Sequence, residues 1–251
     1  MLQQIPIFHF TAVESTNDSA RNLLVGEDCV IVAADEQTKG RGRHGKIWSG
    51  TRGKNLYCSL GIRQFRNLTA QEAASYQAIG ALAVADALRN IAPSNTFCIK
   101  YPNDVMALCP DGITRKISGI LVEHDYIGAV TQTTIVGIGI NVEQTEFPPE
   151  IAQSAVSLAI LGCKTDVSDV FDALCESLNS RLSDKDIMEN WRREMRIEGK
   201  RLTLRDGKES YTVQQILDDG SLLVDAGHEN KIIYTGDSFR YDIDCNGGQI
   251  L

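Results

Sequence analysis

No apolar run in this chain of 251 residues approaches the roughly 18–20 residues of a membrane span; the longest, such as Ile135 to Val142, stop well short. The opening residues, MLQQIPIFHF, do not join a basic region to an apolar stretch, so no secretory leader is expected. The seven cysteines are odd in number and contain no C-x-x-C pair. That pattern reads as reduced thiols, mostly buried, in a cytoplasmic protein. An excess of positive charge is missing too. The formal charge of −8 argues against nonspecific nucleic-acid binding by the whole surface. There is no internal repeat and no low-complexity tract. Hydrophobic residues at 43% and charged residues at 23% are ordinary for a globular protein. They exclude a mainly disordered chain, a collagen and a coiled coil. A chain of this size buries enough surface to fold without staples.

The charge is unevenly placed. Residues 39–54, KGRGRHGKIWSGTRGK, hold six Lys/Arg, five Gly, one His and no acid. Cations crowded in this way repel one another, and such a loop is usually kept for an anionic ligand. Gly40, Gly42 and Gly45 satisfy G-x-G-x-x-G, yet a strand-like segment rather than a helix follows, and no acid occurs until Glu72. The P-loop pattern fits from Gly40 to Lys46 but ends on Ile47, which has no hydroxyl for Mg²⁺. Both nucleotide motifs are rejected. What remains is a flexible loop that wraps an anion with backbone amides and arginine forks.

The hydrophobic patterning predicts an α+β fold. Ser15-Thr16-Asn17 offers N-cap side chains before a helix near 18–25. CVIVAA (29–34) reads as a strand buried on both faces, and NLYCSLGI (55–62) as a second, alternating strand. Thr69 caps a long helix reaching about Arg89. Phe97 to Tyr101 is a short strand, with Pro102-Asn103-Asp104 as a turn after it. Segments 116–123 and 133–141 form paired strands, and helices are expected near 151–161, 168–182 and 186–196. From Lys200 four short runs, RLTLR, SYTVQQI, SLLVDA and KIIYTG, alternate between turn residues, which predicts a small barrel or sandwich. Two domains follow, 1–196 and 197–251.

Polar clusters stand at the strand ends: Asn103-Asp104 on a proline-fixed turn, Lys116 opening KISGILVE, and Gly137-Ile138-Gly139-Ile140-Asn141, where small residues let something approach the backbone. Each alone is an ordinary turn, edge lysine or bulge. Their order together with ESTND (14–18), EQTKGRGRHGKIW (36–48) and GKNLYCSL (53–60) resembles the biotin protein ligase family over essentially the whole chain. Tyr101 stands where that family usually has Trp. The chain begins about where the family's ligase domain begins, so a monofunctional ligase without operator binding is expected.

The resemblance implies a central mixed or antiparallel sheet flanked by helices, of the class II synthetase and biotin–lipoyl ligase kind, with a small C-terminal SH3-like β-barrel. It implies that biotin and ATP, with Mg²⁺, form biotinyl-5′-AMP, and that biotin then passes to a lysine on a carboxylase carrier domain. It places Lys116, Arg41, Arg43 and Asp104 in catalysis. Ser15, Thr16, Asn17, Gln37, Gly40, Gly42 and Gly119 would line the biotin site with Arg41, Arg43 and Lys116. Trp48, Asn103 and Asn141 would join Arg41, Arg43, Asp104 and Lys116 on the ATP side, Trp48 stacking on adenine. No metal ligands are assigned, no nucleic-acid or membrane partner is expected, and monomer and homodimer both stay open. Lipoate or octanoate ligases share the fold and an N-D…K-x-x-G arrangement; the G-R-G-R-H-G loop and the polar E-S-T-N segment favour biotin. A non-enzymatic biotin sensor and a scaffold whose loop has lost catalysis are the remaining alternatives.

Overall fold

The computed structural model describes residues 5–204, 207–227, 229–234, 239–241, 243 and 245. The last residue of RLTLR and the last two of KIIYTG, at 205, 235 and 236, lie outside the described residues.

The apolar strands assemble one seven-stranded sheet. Its members are β1 (Ile7–Phe10), β2 (Cys29–Ala34), β3 (Asn55–Arg66), β4 (Phe97–Lys100), β5 (Asp104–Leu108), β6 (Thr114–Ile127) and β7 (Val130–Asn141). Their order is β1-β2-β3-β7-β6-β5-β4. Only β1 and β2 run parallel; every other pair is antiparallel. The sheet is therefore mixed, as expected. β3 is buried on both faces over 55–61, where an alternating strand was anticipated.

Strand alternation gives the sheet two different faces. Ile120 pairs with Ile138 and Val122 with Val136, on the face covered by helix α2 (Ala70–Ile91). A Cβ on Gly80 would meet Val136 and Ile120 at 2.9 and 3.0 Å, so the helix axis lies close to the strands there. Gly119 pairs with Gly139 and Leu121 with Gly137 on the other face. Ser59 and Tyr57 of β3 stand beside those two glycines. Helix α1 (Thr16–Leu23) crosses this side, burying Ala20 against Val30, Val32 and Ile135 with the following Leu24.

α2 begins as its sequence predicts. Thr69 and Glu72 make reciprocal side-chain-to-backbone bonds, a complete capping box. Helices α3 (Val167–Leu182) and α4 (Ile187–Met195) complete the layer, α4 contributing the fully buried Trp191. The helix expected over 151–161 is absent: that stretch is turns. Its backbone is committed elsewhere, because Lys116 N donates to Ser154 O at 2.8 Å and Val156 N to Lys116 O at 2.9 Å. The turn expected at Asn103-Asp104 is brief. Asp104 already opens β5, a strand whose start lay hidden behind the proline. Tyr101-Pro102 is a cis peptide.

The C-terminal runs form β8 (Arg201–Leu204), β9 (Ser210–Ile216), β10 (Leu222–Asp225) and β11 (Asn230–Ile233), joined by β12 (Phe239–Arg240). They make a separate antiparallel sheet ordered β11-β10-β9-β8-β12. One cysteine expectation is overturned. Cys98 of β4 and Cys245 are disulfide-bonded, their Cα atoms 5.2 Å apart across 147 residues of chain. No local spacing pattern announces a bridge that only the fold brings together. Among the described residues, no helix is long and apolar enough to cross a membrane.

Candidate active site

The glycines of the open sheet face are the floor of a cleft. A Cβ on Gly139 would fall on the Trp48 indole, and one on Gly137 on the Asn17 amide. The expectation that something approaches the backbone here holds, and the visitors are the protein's own side chains. Gly119, opposite Gly139, leaves room for the Lys116 ammonium at 2.9 Å from a notional Cβ and for the far edge of Trp48 at 3.1 Å. Lys116 Nζ stands 5.2 Å from the centre of the Trp48 ring and 2.5 Å from Asp104 Oδ1. A cation is thus held between an aromatic face and one carboxylate oxygen.

The start of α1 forms a second polar wall. Ser15, Thr16 and Asn17 are all buried, although Ser15 makes no side-chain cap bond. Thr16 N and Oγ1 both donate to Gln37 Oε1, at 2.8 and 3.0 Å. Ser59 Oγ lies 2.6 Å from Asn17 Oδ1, whose Nδ2 donates to Glu123 Oε2 at 2.9 Å. The far end is framed by two amides whose donors are spent on backbone: Asn103 Nδ2 on Ile120 O at 2.9 Å and Asn141 Nδ2 on Val156 O at 3.0 Å.

The basic loop folds over this cleft as a small hairpin. Arg41 and Ile47 form an antiparallel bridge, Gly42 N donates to Lys46 O, and Trp48 N donates to Gly40 O. Gly40 is required because the Trp48 carbonyl occupies the space of any Cβ there. His44 at the tip takes a positive φ of 54°. Among the described residues, several of these cations pair with carboxylates from other elements: Lys39 with Glu14, Arg41 with Asp18, Arg52 with Glu36 and Lys54 with Glu143. These pairs offset the repulsion that the bare sequence suggests. Arg41 is forked on Asp18 through two 2.7 Å bonds, with Glu123 at 3.4 Å. That bond from Arg41 holds the Asp18 carboxyl below its usual range, against the effect of partial burial. Arg43 Nη1 reaches across the cleft, 3.3 Å from Asn103 Oδ1.

Every site residue picked from the sequence except Gly40 lines one cavity of about 310 Å³, within the range of small-molecule sites. Sequence reading missed Asp18 and Glu123, the carboxylates that orient Arg41, although both lie inside or beside the motifs. It also missed Phe147, Ile151, Ser154 and Ala155, which close one side. Their signal was hidden by the helix reading of that stretch. The described residues contain no cluster of three His, Cys, Asp or Glu that could hold a metal ion.

A cleft that sets a lysine and an arginine beside neutral amides and an apolar floor suits an enzyme that joins two anionic groups. The comparisons place it more narrowly. Residues 9–141 match the biotin/lipoate A/B protein ligase family, and the chain belongs to that family. It is 30% identical over 223 residues to a biotin–[acetyl-CoA-carboxylase] ligase of Mycobacterium tuberculosis, covering 84% of this chain and 78% of that one. It is 31% identical to the bifunctional ligase/repressor BirA of Bacillus subtilis, over 71% of this chain and 54% of the relative, so it spans about half of that protein. Among solved structures it superposes on the biotin protein ligase from Aquifex aeolicus in complex with biotin and ATP. The TM-score is 0.72 at 28% identity, covering 95% and 99% of the two chains.

Proposed function

We infer that this protein is an ATP-dependent biotin–protein ligase that modifies the carrier domain of a biotin-dependent carboxylase. In the first step a carboxylate oxygen of biotin attacks the α-phosphorus of ATP. The bond to the bridging oxygen breaks, and pyrophosphate leaves. In the second, the amine of the acceptor lysine attacks the biotinyl carbonyl, forms an amide and expels AMP, with one proton released. Both steps bring electron-rich groups together, so fixed positive charge at the junction is the main requirement.

The observation that carries this reading is the Lys116 ammonium, held between Asp104 and the Trp48 ring at the glycine floor. Lys116 binds the carboxylate and phosphoryl oxygens as they meet, and Asp104 orients it. Arg43 supports the phosphates from the loop. Arg41, forked on Asp18, fixes the loop over biotin. Thr16, bonded to Gln37, and Asn17, joined to Thr16 through Ser59, present hydroxyl and amide groups to the ureido ring with Gln37, and Ser15 lies beside them. Trp48 stacks on the base, and Asn103 and Asn141 keep the nucleotide wall rigid. Mg²⁺ bound to ATP would offset the triphosphate charge, and Asp104 is the cleft carboxylate that would hold it beside the phosphates.

The test is pyrophosphate exchange into ATP with biotin, lipoate or octanoate offered separately. Exchange with biotin alone is expected, and Lys116→Ala should lower it by about 100-fold or more with the fold unchanged by circular dichroism. Exchange driven by lipoate or octanoate would overturn the substrate assignment, and an unaffected Lys116→Ala would remove that residue's role.

A further inference from the structure

Residues 101–103 join β4 to β5 and bring Asn103 and, one residue on, Asp104 to the cleft. The far end of this turn is clamped to β6. Asn103 O accepts from Ile120 N and Asn103 Nδ2 donates to Ile120 O, both at 2.9 Å. The near end is Tyr101, which is 5% exposed and stands outside the cleft lining. Its main-chain N donates to the Tyr241 hydroxyl at 2.7 Å, and its own hydroxyl donates to the Gly220 carbonyl at 2.8 Å. Both partners belong to the C-terminal part of the chain. That part therefore grips the turn at one end while the ligase sheet grips it at the other.

The two partners are themselves held. The β9–β10 turn is closed by Leu217 N on Ser221 O and Gly220 N on Leu217 O, at 2.8 and 3.0 Å. Asp219 Oδ1 accepts from the Ser221 amide and hydroxyl inside it. Gly220 is buried with a φ of +80°, and a Cβ there would meet Ala74 of α2 at 3.3 Å and the Trp191 ring of α4 at 3.7 Å. The Tyr101 ring leans on the same indole, the centroids 6.2 Å apart. Tyr241 is kept in reach by the nearby Cys98–Cys245 bond. A hydrogen bond to a fixed carbonyl is directional, so it sets where Tyr101 sits more narrowly than ring packing does. The consequences fall on the cleft, where Asp104 Oδ1 is 2.5 Å from Lys116 Nζ and Asn103 Oδ1 is 3.3 Å from Arg43 Nη1.

We propose that Tyr101 is a positioning residue for adenylation. Held by Gly220 and Tyr241, it fixes the 101–104 segment and so the place of Asp104 beside Lys116 and of Asn103 beside Arg43. The C-terminal sheet thereby bears on the first half-reaction through this turn. The proposal rests on the ligase reading above.

Tyr101→Phe and Tyr241→Phe each remove one hydroxyl and keep the ring. In each variant kcat for biotin-dependent pyrophosphate exchange, at saturating biotin and MgATP, should fall about tenfold or more, since a misplacement of about 1 Å can cost about 100-fold. Biotin binding by calorimetry without ATP should keep its wild-type Kd and stoichiometry. The polar wall of Thr16, Asn17, Gln37 and Ser59 is bonded within itself and not to the turn. This split is the readout that separates positioning from folding, because a misfolded fraction would lower the biotin stoichiometry in step with exchange. Should Tyr101→Phe not fold, Tyr241→Phe decides alone by the same two readings. Wild-type kcat in both variants would overturn the proposal, and so would a parallel loss of biotin sites and exchange in both. Absence of exchange in the wild type would instead defeat the ligase reading.

Discussion

Gly139 shows how much of this site is decided by a missing side chain. The Trp48 indole occupies the place of its Cβ, and the same ring carries the Lys116 ammonium. Gly139→Ala therefore displaces the ring and the cation together, and overpacking of this kind costs about 1–3 kcal/mol. Pyrophosphate exchange should fall at least tenfold, with a shift in tryptophan fluorescence that reports the moved indole. Gly137→Ala meets Asn17 instead, so its loss should appear mainly as weaker biotin binding by calorimetry. Wild-type exchange in Gly139→Ala would show that the ring's seat does not matter. The residue types of this floor were legible, because G-I-G-I-N inside an apolar strand advertises a close approach. Which side chains approach was not. The contacts join residues 17 and 137, or 48 and 139, and arise only when α1 and the loop fold back over β7. Arg41 carries the same lesson. Its charge was read as free for a ligand, whereas Asp18 and Glu123 already share it, and nothing local to G-R-G-R announces those partners.

At the scale of elements, local signals succeeded where local energies rule. Thr69 and Glu72 close a capping box at the start of α2, and Thr69 N with Arg66 holds the Glu72 carboxyl down at about 2. Thr69→Ala should cost about 1 kcal/mol, a fall of roughly 2–4 °C in Tm for a chain of this size. The pH dependence has a definite sign. A carboxyl depressed in the folded state contributes fully above its unfolded value near 4.5 and loses that contribution as pH falls towards 2. The Tm deficit of Glu72→Gln should thus be present at pH 7, shrink below about pH 4.5 and vanish near pH 2. A deficit equally large at pH 2.5 and pH 7 would deny the carboxylate its role. Local signals failed where tertiary pairing rules. The 151–161 stretch has helical spacing in Ile151, Ala155 and Leu158, yet in its middle Val156, Leu158 and Ala159 donate their backbone N–H groups to Lys116, Asn141 and Val142 rather than along a helix. β5 was missed because Pro102-Asn103-Asp104 reads as a turn. Its pairing with both β4 and β6 makes it a strand from Asp104 onward.

Across the whole molecule, the Cys98–Cys245 bond ties the chain beyond β12 to the β4 edge of the ligase sheet. The other five cysteines are free, and burial raises the thiol at Cys29, Cys58, Cys163 and Cys175. It pushes the Cys29 and Cys175 thiols up to about 11 and the Cys58 thiol higher still. Thiolate is the reactive form, so the native protein at pH 8 should react slowly with Ellman's reagent despite its many cysteines. Unfolding in guanidinium without reductant should expose five fast-reacting thiols, the number the structure leaves free. Prior reduction should raise the count to seven, the full complement of the sequence. The order of the two treatments makes the result decisive. Burial alone would delay all seven in the native state and release all seven on unfolding, whereas a covalent bond withholds two until reductant is added. Seven fast thiols in guanidinium alone would restore the sequence's expectation of a fully reduced chain. The link between the ligase sheet and the residues beyond β12 would then rest on packing alone.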